Sequence, residues 1–509
     1  MFEGIASGLL TVFTPINLLM VIVGCFAGTF IGLLPGLGPI TAIALMIPVT
    51  YGFDPSSGLI LMAGVYYGAI FGGSTSSILI NAPGVAATVA TSFDGFPLAK
   101  KGQAAKALTV AAYCSFSGGT IGAILLLVAA PALARVSLSF QSSDYFALMT
   151  LGLTAMAVSK GEGAFVKGIL MTILGLMLAT VGTDLSTGVQ RYVFGNLNLI
   201  DGISFLLIVM ATFAIGEVFI SVLKPDDLSD EQRKALMSKM GQMRLNREER
   251  REIFPAAGRS SLLGFLVGVL PGAGATIASF LAYGMERKLA GPEKAKEFGK
   301  GSLRGLAAPE AANNAASSGS FVPLLTLGIP GSGTTAVMLG ALISFGIQPG
   351  PRLMVDNPNV FWSVIISMYV GNIILLILNL PLIPYIAKLL TIPRQILLPM
   401  ILFLSLIGVY LISFNTFEMG LMVAIAAAAF LLRLLDFPMP PLVLGFVLGG
   451  MMEENLRRAI TIHDNSLAFI WERPITLVLL SITVLLLLLP GIRSLVAKLR
   501  ARQQVSTAA

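Results

Sequence analysis

Apolar residues run along this chain in long blocks, and polar residues gather between them. Ser204 to Leu223 and Ile475 to Leu489 are long enough, or nearly so, for the about 20 apolar residues that span a bilayer, with charges at their ends. Blocks of this kind predict about eleven to fourteen membrane segments, several of them broken. The breaks are marked by Pro35-Gly36, Pro83-Gly84, Pro271-Gly272 and Pro330-Gly331. Proline removes a backbone donor and clashes with the preceding turn, while glycine admits positive φ and lets a ligand approach the backbone. A break leaves N–H and C=O groups that lipid cannot satisfy, so it has to be buried or line a cavity.

The four breaks are related. GLLPGLGPITAIALM at Gly32 to Met46 returns as GVLPGAGATIASFLA at Gly268 to Ala282, and FGGSTSSILINAPG at Phe71 to Gly84 is answered by SSGSFVPLLTLGIPG at Ser317 to Gly331. The loop after PGLGP has no basic residue and the loop after NAPG is basic; in the second half the order reverses. Basic loops face the cytoplasm, so equivalent loops are expected on opposite sides. The fold expected is therefore all-α: a polytopic membrane protein with two inverted-topology repeats, re-entrant hairpins and discontinuous helices. Residues 1–223 form the first repeat, with a hairpin near 17–50 and a broken helix over 58–95. A charged cytoplasmic linker, 224–259, precedes the second repeat, 260–455, with a hairpin at 260–283 and a broken helix at 311–348. A last membrane segment and a basic cytoplasmic tail fill 456–509.

Composition agrees. Of 509 residues 55% are hydrophobic and 12% charged, against about 25% charged in soluble domains. The net charge of +7 follows the bilayer: basic clusters fall between or after the apolar blocks, so lipid headgroups and the insertion machinery explain the excess better than nucleic acid does. Residues 1–15 hold no Lys or Arg, so the first helix reads as an uncleaved insertion signal. Cys25 and Cys114 lie in apolar segments and read as buried hydrophobes. His463 has no metal-ligand company and reads as a surface or interfacial residue.

Around each break, small polar residues share a helical face: Ser74, Ser77 and Asn81 in the first half, Asn313, Ser317 and Ser320 in the second. Thr88 and Thr91, and Thr334 and Thr335, follow the breaks. Hydroxyls and amide oxygens are hard ligands that suit Na⁺, while the helix N-termini after Pro83 and Pro330 offer N–H groups to a carboxylate. The competing reading is plainer: Ser and Thr join helices by interhelical hydrogen bonds, and Gly and Pro act as kinks. The residues assigned to the substrate are Pro35, Gly36, Pro83, Gly84, Thr88, Pro271, Gly272, Pro330, Gly331, Thr334 and Thr335. Those assigned to the cation are Ser74, Ser77, Asn81, Asn313, Ser317 and Ser320. Carboxylates in or near apolar segments, Glu217, Glu310, Glu418, Glu453 and Glu454, are all expected near helix ends. Glu310 reads as an end cap, a partner for Arg304 or a cation ligand. Arg457 and Arg458 either draw in an anion or anchor an interface.

An enzyme is not expected, since one histidine and two cysteines assemble no catalytic or metal set and no Walker A motif is present. No cofactor is expected beyond a coupling ion.

These motifs resemble the large membrane subunit of the tripartite tricarboxylate transporters, the TctA type. The resemblance rests on LPGLGPITA, YYGAIFGGSTSSILINAPG, DGFPLAKKGQAAKAL, LPGAGATIA, APEAANNAASSGSFVPLLTLGIPGSGTTAV and GIQPGPRL. It implies a bacterial inner-membrane permease with a small four-helix membrane subunit and a periplasmic solute-binding protein as partners. It further implies uptake of citrate or other carboxylates coupled to Na⁺ or H⁺, through an elevator-like movement. A non-transporting scaffold or receptor subunit, or a proton-coupled permease for a different organic anion, are the alternatives.

Overall fold

The computed structural model describes residues 2–34, 36–158, 162–184, 186–223, 243–272, 274–382, 385 and 394–488. Pro35, most of the expected linker (224–242) and the basic tail from residue 489 lie outside them. The described residues are almost wholly helical, apart from one antiparallel pair, Gly182–Thr183 with Gln190–Arg191. Seven of the described helices are long and apolar enough to cross a membrane, and the chain is a multi-pass membrane protein.

Two compact units form: residues 1–138 with 204–431, and residues 139–203 with 432–509. Each expected repeat thus contributes to both units.

Two stretches of the larger unit, called copies below, run through a similar order of elements. In the first, Pro15–Leu33 and Gly38–Thr50 form a hairpin, and Pro55–Ile80 continues after a break as a short 3-10 turn and Val89–Lys100. In the second, Arg247–Val269 and Gly274–Leu289 form the hairpin, followed by Leu303–Gly319, Phe321–Leu327 and, after a break, Gly333–Ser344. Asp54 starts the first broken helix by accepting from Ser57 N, with Pro55 in the first turn. Both broken helices stop on a left-handed residue, Asn81 at φ 55° and Gly328 at φ 69°, the conformation that closes a helix and that asparagine and glycine tolerate.

The second hairpin begins earlier than expected. Asn246 and Glu249 build a reciprocal capping box, so Arg247–Arg259, read from their charge as linker, are the first turns of its helix.

Glycines set the packing in both copies. A Cβ at Gly28 or Gly32 would collide with the carbonyl of Val65 or Ala69, and one at Gly264 or Gly268 with that of Ala312 or Ala316. Each hairpin therefore lies backbone to backbone against its own broken helix, the close approach that small residues permit between membrane helices. The copies also interlock. Tyr67 Oη donates to Ser318 Oγ at 2.9 Å, and Ser279 Oγ donates to the Ala87 carbonyl at 2.7 Å.

Loop contacts follow the charge pattern. Lys101 Nζ, after the first broken helix, donates to the Lys300 carbonyl, after the second hairpin, at 2.6 Å. Asp94 Oδ1, buried nearby, accepts the N–H groups of Gly299, Gly301 and Ser302 at 2.8–2.9 Å. The two loops poor in basic residues meet as well, with the rings of Tyr51 and Phe345 5.6 Å apart.

The smaller unit joins Ser142–Val158, Glu162–Ala179 and Met439–Ile462. Asp144 accepts from Arg473 at 2.7 Å and Thr476 at 2.6 Å, while Arg457 pairs with Asp184 at 3.0 Å and with Glu453 at 2.6 Å.

Candidate functional site

At each hairpin tip a glycine takes positive φ, Gly36 at 90° and Gly272 at 81°, which turns the chain where a side chain would strain it. Each tip abuts the break of its own copy. Gly272 N donates to the Gly331 carbonyl at 3.2 Å, and a Cβ on Gly331 would stand 3.0 Å from the Gly268 carbonyl oxygen. In the first copy a Cβ on Gly84 would collide with the Gly32 carbonyl oxygen. Pro83-Gly84 and Pro330-Gly331 are thus packed against backbone, and Glu217 Oε1 stands 3.0 Å from the Cβ position of Gly36. Pro271 precedes Gly272 at the second tip, half-buried.

The hydroxyls past the breaks separate into two kinds. Thr88 is spent internally: its Oγ1 accepts from Ser77 at 2.8 Å and reaches the Gly73 and Val85 carbonyls at 3.1 and 3.0 Å. Thr335 is spent too, since Ser332 and Thr335 form a capping box at the start of Gly333–Ser344. The hydroxyl of Thr334, a residue 6% exposed, makes no hydrogen bond among the described residues.

The polar faces are divided similarly. Asn81 is exposed at its left-handed cap. Ser317 and Ser320 donate to carbonyls of their own helix, Asn313 O at 2.8 Å and Ser317 O at 2.7 Å. Asn313 Oδ1 accepts from Asn314 Nδ2 at 2.8 Å, and Asn314 Oδ1 is buried without a hydrogen-bond partner.

Ser74 leads elsewhere. Its Oγ lies 2.9 and 2.8 Å from the two carboxylate oxygens of Glu310. Ser115 Oγ donates to Glu310 Oε2 at 2.7 Å, and Thr91 Oγ1 donates to Oε1. Glu310 is fully buried in the middle of Leu303–Gly319, not near a helix end. Nor is it a partner for Arg304, whose Nε pairs with Glu286 at 2.6 Å while Arg259 holds the same carboxylate at 2.9 Å. The helix turn explains this: Arg304 and Glu310 are six residues apart, on different faces.

Sequence alone missed Ser115, Asn379 and Asp94 as polar members of the core. Ser115 carries no periodic signal among the alanines and glycines around it. Of the uncertain arginines, Arg457 is neutralised by Asp184 and Glu453 and Arg458 pairs with Glu454. Cys25 and Cys114 are buried and free, and His463 Nδ1 contacts the Ala459 carbonyl at 2.8 Å.

The family model for the tripartite tricarboxylate transporter TctA family matches residues 18–444. An uncharacterized 52.8 kDa protein in the TAR-I ttuC' 3' region of Agrobacterium vitis is 42% identical over 497 residues, 97% of each chain. An uncharacterized protein in the TAR-II ttuC' 3' region of the same organism is 44% identical over 234 residues, 45% of this chain and 96% of that one. No solved structure matches the chain. The family match runs through both hairpins, both breaks and the helix bearing Glu310, and on that ground the chain belongs to the tripartite tricarboxylate transporter TctA family.

Proposed function

We propose that this chain carries the substrate pathway of a Na⁺-coupled secondary transporter that imports tricarboxylates such as citrate, or related organic carboxylates. A periplasmic solute-binding protein delivers the substrate, and a small four-helix membrane subunit completes the complex in the bacterial inner membrane. The observation that carries the reading is the pair of interlocked hairpin and broken-helix copies, each with its tip against its own break. Unwound backbone buried among polar side chains is where transporters hold substrate and ion. The meeting of the basic loops with each other, and of the basic-poor loops with each other, supports an inverted pair with 224–259 and the C-terminus in the cytoplasm.

In this mechanism a substrate carboxylate lies between the two breaks. It takes N–H groups from the N-terminus of Gly333–Ser344, whose dipole end is positive, and a hydroxyl from Thr334. Gly36 and Pro271-Gly272 close over it as the hairpin tips, and an elevator-like movement of the paired copies carries it across. The chain performs no covalent chemistry.

The test is citrate uptake into vesicles holding all three components, driven by an inward Na⁺ gradient. Uptake that follows a proton gradient and ignores Na⁺ assigns the chain to a proton-coupled permease. No flux of any carboxylate, with binding protein still docking, assigns it to a receptor or scaffold.

A further inference from the structure

Glu310 presents a charge problem that its surroundings leave open. It is fully buried, and among the described residues no Lys, Arg or His pairs with it. An ionised carboxylate in such a place costs several kcal/mol unless a cation or an equivalent set of donors compensates it. Three hydroxyls converge on it, from Ser74 and Thr91 on either side of the first break and from Ser115 on the following helix. The cluster therefore joins both copies.

A second feature adjoins it. Ser74 and Ser115, two of those three partners, also line a small space of about 10 Å³ together with Thr75 and Asn379, close to the room one water or one bare ion needs. Asn379 is 3% exposed; its Nδ2 is spent on the Leu375 carbonyl at 3.0 Å, and its Oδ1 is buried without a hydrogen-bond partner. Asn379, whose acceptor oxygen has nothing to accept, thus lines the same small space as Ser74 and Ser115, two of the carboxylate's partners. A water there satisfies the amide but leaves the charge; a small cation satisfies both.

We infer that Glu310, Ser74, Thr91 and Ser115, with Asn379 across the adjoining space, form the binding site of the coupling Na⁺. This rests on the ion-coupled reading above and moves its cation from the two symmetric polar faces to one asymmetric site. The donor set is oxygen only, one carboxylate with hydroxyls and an amide oxygen, as hard cations require. Its single charge matches a monovalent ion. The hydroxyls rotate their hydrogens away and present lone pairs when the ion enters.

The experiment uses the full chain in lipid nanodiscs, with its thermal unfolding midpoint followed against NaCl and against choline chloride at equal ionic strength. A saturable rise with Na⁺ alone is expected, since a ligand that binds only the folded state stabilises it by mass action. Glu310→Gln keeps the shape but removes the charge, and is expected to abolish the rise. Ser115→Ala and Asn379→Ser, which keep the carboxylate, are expected to weaken apparent Na⁺ affinity about tenfold. An unchanged Na⁺ response in Glu310→Gln overturns the site, and if that variant does not fold, unchanged affinity in both other variants overturns it. A wild-type midpoint that ignores Na⁺, while Na⁺ still drives uptake in the three-component vesicles, also overturns it and spares the transport reading. A normal Na⁺ response without uptake keeps the site and removes that reading.

Discussion

Four threonines after the breaks look alike in sequence, and hydrogen bonding divides them. Thr88 and Thr335 hold the restarted helices, Thr91 serves Glu310, and Thr334 alone is left with an unspent hydroxyl. Thr334→Ala is therefore expected to raise the KM for carboxylate uptake about tenfold, the scale of one hydrogen bond to a charged group, with the thermal midpoint unchanged. Thr335→Ala is expected to lower stability by about 1 kcal/mol, the usual worth of such a cap, with KM unchanged once folding is restored at lower temperature. Kinetics and thermal unfolding on the same two preparations decide between this assignment and its reverse. The residue types around the breaks were legible beforehand; which hydroxyls were already occupied was not, because that depends on carbonyls one turn away.

Among the elements, the hairpins owe their position to glycine. Gly268→Ala places a methyl group against the Ala316 carbonyl, and overpacking of this kind costs about 1–3 kcal/mol; a fall in the thermal midpoint checks it, and no fall would mean that the hairpin can shift away. The loop 290–302 depends on one carboxylate. Asp94 accepts three of its N–H groups and the Tyr283 hydroxyl at 3.0 Å, so Asp94→Ala removes their common acceptor and leaves the buried Ser302 N–H unpaired, about 1–3 kcal/mol. Faster trypsin cleavage at Lys294, Lys296 and Lys300 is the expected sign. In the other unit Asp184 organises a turn through Thr187 and Ser186. The Thr187 hydroxyl first, then the Ser186 N–H and Arg457, hold its carboxyl below the ordinary aspartate value. A lowered value means that the turn's stabilisation is fully present above about pH 3.9 and is lost as pH falls through the lowered value. Protease protection of residues 182–203 measured at decreasing pH checks this.

For the whole molecule, the arrangement to be tested is inversion. Single cysteines in the four equivalent loops, Gly52→Cys, Gln103→Cys, Lys296→Cys and Gln348→Cys, are expected to label in two pairs. Gly52 and Gln348 react from one side of the membrane, Gln103 and Lys296 from the other, while native Cys25 and Cys114 stay buried and silent. Labelling of Gly52 and Lys296 from the same side would make the repeat parallel. The contacts of Lys101 with Lys300 and of Tyr51 with Phe345 are the basis for this expectation.

By itself the sequence determined the solvent, the helical class and the repeated breaks. Lipid compels long apolar helices and forbids exposed backbone, so blocks of hydrophobic residues and paired Pro-Gly steps are readable without knowing what touches what. Tertiary structure alone decided the environment of each polar side chain. Glu310 reads as a helix-end carboxylate beside Arg304 along the chain, yet packing turns Arg304 to Glu286 and encloses Glu310 among Ser74, Thr91 and Ser115. Those partners lie 195 to 236 residues away, and no local pattern carries a contact over that distance. Burial and charge compensation are properties of the assembled bundle, and they are what distinguish an ion site from a row of small polar residues.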